Sequence, residues 1–153
     1  MTTPFLWDGA GAYPGSVANW LTTELNSLAS SSGNTLSTLG AAFQNTSAWL
    51  YADVEFLAGS TLSPTGNPFI ELWLLRSLDG GTSYEDGSAT IAPGRPADIT
   101  IPVRVGTTIT PRAGISGLTL PPAYYKPLVR NQTGVTLPSS GNLIRFSAYT
   151  QQY

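Results

Sequence analysis

The chain has 153 residues, one domain's worth at roughly 100–200 residues per domain, and enough to bury a core without staples. Only 10% of residues are charged, against about 25% in an average soluble domain, and the formal net charge is -2. With no Cys and no His, the chain has no disulfide, no thiolate nucleophile or ligand, no Ser-His-Asp triad and no imidazole switch. The balance is not basic, so the footprint of nucleic-acid binding is missing. The opening MTTPFLWDGAG lacks a basic n-region and a continuous apolar stretch, so no signal peptide is expected. The apolar run around residues 70–75 is interrupted by Glu71 and is too short to span a bilayer, so no membrane segment is expected.

Residues 1–15 read as an extended arm. Gly and Pro break any period there, yet Phe5, Leu6, Trp7 and Tyr13 call for burial, on the chain's own domain or on a neighbouring subunit. Residues 16–32 read as one short helix; the alternative is a polar linker with two short strands. Ser16 is the helix N-cap, Val17, Trp20, Leu21, Leu25 and Leu28 form its apolar stripe, and Gly33 is its stop. Its Ser and Thr content gives it poor intrinsic propensity, so packing must hold it. Residues 30–45 are rich in Ser, Gly and Asn and read as a linker. The expected division is 1–45 for arm, helix and linker, and 46–153 for a β domain.

From Thr46 the period becomes two. Residues 49–57 alternate, with Tyr51, Asp53 and Glu55 opposite Ala52, Val54 and Phe56. Residues 69–78 form a strand that is apolar on both faces, and 89–92 a short one. Residues 98–105 place Ile99, Ile101, Val103 and Val105 on one face, and Pro102 marks an edge strand. Strands are predicted at 107–112, 115–120, 124–130, 134–137 and 143–149, with turns at 130–134 and 139–142. Closely spaced strands with Gly/Pro turns predict a mainly β protein, an antiparallel β-sandwich of jelly-roll type.

The sharpest motif is Ser77-Leu78-Asp79-Gly80-Gly81-Thr82-Ser83-Tyr84. It fits S-x-D-x-G-x-x-aromatic and resembles the Asp-box of sialidases and other β-propellers. There the element is structural and repeats once per blade; here it occurs once. It predicts a hairpin turn in which Asp79 caps amides, Gly80 or Gly81 takes positive φ, and Tyr84 staples the turn. Asp79, Glu85 and Asp86 are near each other in sequence, but their spacing is not that of a calcium loop. Asp53 and Glu55 share a strand face, as solvated acids commonly do, and make no glycosidase pair by themselves. No enzyme activity and no cofactor are expected. Of the adjacent Tyr124 and Tyr125, one must face the core. The other, with Tyr149 and Tyr153, is available to stack on sugars. Asn45-Thr46-Ser47 and Asn131-Gln132-Thr133 match glycosylation sequons and read as turns.

Charge divides along the chain. Residues 1–75 hold five acids and no base; the remainder holds seven bases, six of them Arg, and four acids. Arg is favoured at interfaces, so Arg104 is expected to point out of the core, Arg130 and Arg145 to be partly exposed, and these to meet acids of a partner or, alternatively, of their own chain.

The second half resembles small virion proteins of tailed bacteriophages. The likeness is carried by ELWLLRSLDGGTSYEDG, PPAYYKPLVRNQTGVTL and SSGNLIRFSAYTQQY, at Asp79, Gly80, Tyr84 to Gly87, Tyr125, Lys126, Leu128 to Asn131, Thr133, Gly134, and Ser140 to Leu143. That resemblance implies a structural role on a phage particle, made in the host cytoplasm, and carries no catalytic residue. The expected function is a capsid decoration, or cement, protein whose partners are the major capsid protein and itself, as a homo-oligomer such as a trimer. The alternative is a tail or baseplate module that binds host-surface glycans.

Overall fold

A computed structural model describes residues 6–9, 18–31, 33, 35–45 and 49–152. Among them nine strands form two antiparallel sheets, and the protein is mainly β. The strands are β1 (Leu6–Gly9), β2 (Ala18–Leu21), β3 (Phe43–Gln44), β4 (Tyr51–Leu57) and β5 (Phe69–Ser77), followed by β6 (Ile99–Pro102), β7 (Arg112–Thr119), β8 (Tyr124–Gln132) and β9 (Leu143–Gln152). The first sheet runs β1-β9-β4-β7, with β2 also paired to β9; the second runs β3-β8-β5-β6. The pairings are nested. β2 joins β9, β3 joins β8, β4 joins β7 and β5 joins β6, so early strands close against late ones.

Period-two alternation puts one face of each sheet inside. Ala52, Val54, Phe56, Ile144 and Phe146 of the first sheet share one core with Ile70, Leu72, Ile101, Tyr125 and Val129 of the second. β5 is apolar on both faces because its outer face is also covered. Trp73 and Leu75 join Leu128 and Leu36 in a second cluster, with Tyr84, Ala92 and Ala97 packed on it. Arg95 and Asp98 tie that cover down. Trp73 Nε1 donates to the Arg95 carbonyl at 3.0 Å, and Leu74 N–H donates to Asp98 Oδ2 at 2.7 Å.

The helix expected at residues 16–32 is absent over 18–31, and Ser16, its expected N-cap, lies outside the described residues. Residues 18–21 are β2, and the only helical turn among the described residues is the 3-10 turn Thr23–Leu25. Its bonds are all i to i+3, and Ser27 at φ 56° ends it by donating its N–H to the Pro138 carbonyl. The apolar spacing survives without the helix, since Trp20, Leu21, Leu25 and Leu28 all enter the main core. A Ser/Thr-rich segment had little helical energy to lose, and pairing with β9 satisfies backbone groups that β9 would otherwise expose.

The stretch read as a linker follows β8. Ser37, Gly40 and Asn45 donate their N–H groups to the carbonyls of Val129, Pro127 and Ala123. The strand expected at 89–92 is instead a tight reversal bridged between Ser88 and Ile91. Of the two strands expected around Ala113-Gly114, the second corresponds to β7, which runs through that pair from Arg112, while residues 107–111 lie outside any strand apart from the bridge of Ile109 to Leu62. Residues 134–137 lie outside any strand. Val105, expected inside, is exposed, while Ile99, Ile101 and Val103 are buried. β6, with Pro102, is an edge strand, and Tyr125 is the buried tyrosine of its pair. Leu6 to Gly9 of the expected arm pair with Gln152 to Tyr149 of β9. Phe5, Tyr13, Val17 and Tyr153 lie outside the described residues.

Candidate functional site

The chain leaves β5 at Ser77 and reverses through a turn organised by one carboxylate. Asp79 Oδ1 accepts from the Ser77 hydroxyl at 2.6 Å, from Thr82 N–H at 3.1 Å and from Ser83 N–H at 2.9 Å. Its Oδ2 accepts from the Ser83 hydroxyl and from Ser83 N–H. Ser77 Oγ in turn accepts Gly81 N–H at 2.9 Å. Gly80 and Gly81 stand at φ 75° and 89°, conformations that side chains disfavour. The Ser77 hydroxyl, then the Ser83 hydroxyl and amide, hold the Asp79 carboxyl well below the usual carboxylate range. The reversal is closed by Glu85 N–H on the Arg76 carbonyl at 3.0 Å, but no ladder strand follows, so the turn is not a regular hairpin. Lys126 Nζ lies 4.3 Å from the centroid of the Tyr84 ring.

This turn presents Leu78, 92% exposed. The sequence reading missed it, although its signal was there: an apolar residue in the variable position of a motif whose other residues are fixed by turn chemistry. Beside it, Gln44, Asn45, Pro122, Ala123 and Tyr124 line a shallow depression of about 290 Å³. On the outer side of the second sheet the exposed Leu39 and Ile91 stand over buried Leu75, in a crevice of about 550 Å³ with Tyr84 and Lys126.

The three acids near the turn do not converge on a cation. Asp79 spends both oxygens on turn donors, and Glu85 Oε2 meets Arg95 Nη2 at 2.7 Å. Among the described residues no group of three or more Asp or Glu side chains is placed to hold a metal ion.

The bases are largely matched inside the chain. Arg130 Nε lies 2.5 Å from Glu71 Oε2, with the guanidinium 5.2 Å from the Trp73 ring centroid. Glu55 takes both Arg112 and, at 3.7 Å, Arg145. Acids of the first half thus meet Arg of the second half within one chain, which was the alternative to pairing across subunits. Arg104 is exposed and has no ion pair among the described residues. On the outer face of the first sheet Asp53 Oδ1 accepts Tyr149 Oη and Gly117 N–H, each at 2.9 Å. The Tyr51 and Tyr149 rings stand side by side at 5.8 Å, next to a groove of about 330 Å³ along Asp53, Glu55, Arg112 and Arg145.

These features define a β-rich protein of two antiparallel sheets around a shared core, with a braced apolar tip. Comparison with protein-family models, with curated proteins and with solved structures finds no match.

Proposed function

We propose that this chain is a non-enzymatic structural subunit of a tailed-phage particle, a decoration protein that docks on the major capsid protein and on copies of itself. The observation that carries the docking is Leu78. A carboxylate with five accepted hydrogen bonds holds rigid a turn whose tip is a leucine almost wholly in water. An apolar side chain fixed in advance loses little entropy when it enters a socket, and its burial is worth about 1.5–3 kcal/mol. Repeated over a lattice, contacts of that size add through multivalency.

The nested strand pairing supports a β-sandwich of jelly-roll type, an architecture found in viral capsid domains and in lectins. The phage reading itself rests on the sequence resemblance; fold analogy alone does not assign it. The test is attachment to particles assembled from the major capsid protein. Wild type is expected to saturate them. Leu78→Ser should weaken attachment at least tenfold and leave the melting temperature unchanged, because Leu78 contributes nothing to the core. Full attachment by Leu78→Ser removes the docking role, and no attachment by wild type removes the decoration role.

The second reading, a tail module binding glycans, draws on the paired Tyr51 and Tyr149 rings beside Asp53. Aromatic faces next to fixed carboxylates suit sugar rings. Saturable glycan binding lost in Tyr149→Ala would favour it.

A further inference from the structure

β7 ends the first sheet and β6 the second, and each pairs on one side only among the described residues. Natural sheets blunt such edges with proline, charge or short length. β6 is four residues long and carries Pro102. β7 is eight residues long, and from Ala113 to Thr119 it holds neither a charge nor a proline. Six of those eight residues are exposed, the apolar Ile115 among them. Val105, in the crossing from β6 to β7, adds a second exposed apolar side chain.

The register shows which backbone groups of β7 point outward. Ala58 N–H donates to the Pro111 carbonyl, and Phe56 and Val54 stand opposite Ala113 and Ile115. Hydrogen-bonded pairs alternate along an antiparallel ladder, so Ala113 and Ile115 spend their N–H and C=O groups on β4. Arg112, Gly114 and Ser116 aim theirs away from the sheet. The ladder slips between Val54 and Ala52, where Asp53 faces Ser116 and Gly117 and takes the Gly117 N–H on its carboxylate at 2.9 Å. The straight outward-pairing stretch is therefore 112–116, with Gly114 at its middle.

That stretch is self-complementary. A two-fold axis at Gly114 sets Gly114 against Gly114 of a second copy, and Arg112 of each copy against Ser116 of the other. The three pairs that result each exchange two backbone hydrogen bonds. On the outer face Arg112, Gly114 and Ser116 line one groove with Asp53, Glu55 and Arg145. Beyond Ser116 of the second copy lies its Asp53, two strand spacings or about 10 Å from Arg112, with only a serine between them. The Arg112 side chain is 66% exposed, and Glu55 keeps Arg145 if Arg112 swings across. Asp53 has no ion pair among the described residues. On the other face Ile115 of each copy comes to lie against Ala113 of the other.

We propose that β7 is a dimer interface: two copies join antiparallel along residues 112–116, about a two-fold axis at Gly114, with Arg112 of each meeting Asp53 of the other. This deepens the self-association in the proposed function. It uses no residue of the Leu78 turn, so the two fail separately. Edge pairing buries little area, and the dimer should dissociate on dilution.

The test uses the full chain in solution. Sedimentation should show monomers at micromolar and dimers toward millimolar concentration. Amide exchange should slow with concentration at Arg112, Gly114 and Ser116 and stay unchanged at Ala113 and Ile115, which β4 already protects. Ser116→Lys sets a second cation against Arg112 of the other copy and should weaken dimerisation at least about tenfold. Adding Arg112→Glu makes that contact attractive and should restore dimerisation, while Leu78→Ser alone should leave it intact. A chain that stays monomeric overturns the proposal, and so does a trimer, because two-fold pairing closes at two. Slowing that does not alternate along β7 overturns it, as does a Ser116→Lys protein that dimerises like wild type or a double variant that stays monomeric. Dimers lost in Leu78→Ser place the self-contact at the turn instead. Should Ser116→Lys fail to fold, the exchange pattern of wild type decides.

Discussion

Asp79 is fully exposed yet strongly held, because its oxygens face hydroxyl and amide donors rather than a counter-ion. Such donors favour the charged form. A carboxyl depressed in the folded state contributes stability that is present above its unfolded pKa, about 3.9, and is lost as pH falls toward the depressed value. The melting temperature of wild type should therefore drop more steeply below pH 4 than that of Asp79→Asn, and the two curves should run parallel above pH 5. Equal acid sensitivity of the two proteins would remove Asp79 from the account. Arg130 and Glu71 are a different case, with side chains 17% and 16% exposed against Trp73. Among the described residues Arg130→Ala leaves Glu71 with only a 3.5 Å contact to Gln132, and it should cost about 2 kcal/mol in denaturant unfolding. Glu55 with the exposed Arg112 should matter far less, as surface pairs do.

Loops in this protein are fastened by buried asparagines. Asn131 donates to the Leu28 and Val135 carbonyls and accepts from Thr133, which ties the segment after the 3-10 turn to the end of β8. Asn45 does the same for Trp49 and Leu120, and Asn142 for Asn26, Pro138 and Gly59. A neutral amide satisfies backbone groups without the desolvation cost of a charge, which suits a chain of 10% charged residues. Both sequon asparagines belong to this set and are buried, so in the folded chain neither presents an acceptor for glycosylation. Where β4 leaves toward β5, Gly59 packs directly on the turn before β9. A Cβ there would stand 1.9 Å from the Ser140 carbonyl oxygen and 2.7 Å from the Gly141 carbonyl carbon. Backbone cannot swing away as a side chain does, so Gly59→Ala should cost about 2 kcal/mol or more. Gly94→Ala, with nothing within 4 Å, is the control and should be near neutral in the same melt.

At the scale of the molecule, nested pairing means that the last strand closes the first sheet. β9 lies between β4 on one side and β1 and β2 on the other, and it brings Ile144, Phe146 and Ala148 to the core. Deleting residues 143–153 should abolish the cooperative thermal transition, whereas a surviving sharp transition would show that β9 is dispensable. Early strands meet late ones across most of the chain, so loop closure must precede reward. Refolding followed by Trp fluorescence should take milliseconds to seconds, the range of all-β domains with distant pairings. Salt should have little effect on this protein's stability, since its ion pairs are few and mostly near the surface.

The sequence by itself determined what depends on neighbours along the chain. Alternation in residues 51–57 gave β4 its buried Ala52, Val54 and Phe56, and Pro102 marked an edge. The Asp79 turn was legible because Ser77, Asp79, the two glycines and Ser83 make their bonds within seven residues. Tertiary structure decided whatever depended on distant partners. Trp20 and Leu25 carry the same apolar spacing in a helix or in a strand followed by a 3-10 turn, and only the open edge of β9 chose between them. Which acids Arg130 and Arg145 meet was open until strand pairing set Glu71 and Glu55 beside them. The packing of Trp20, Phe43 and Phe146 has no linear signal, because Phe146 lies more than a hundred residues from the other two. Local turn chemistry and side-chain period act over a few residues, while sheet order and the matching of buried polar groups are settled only when the whole core closes.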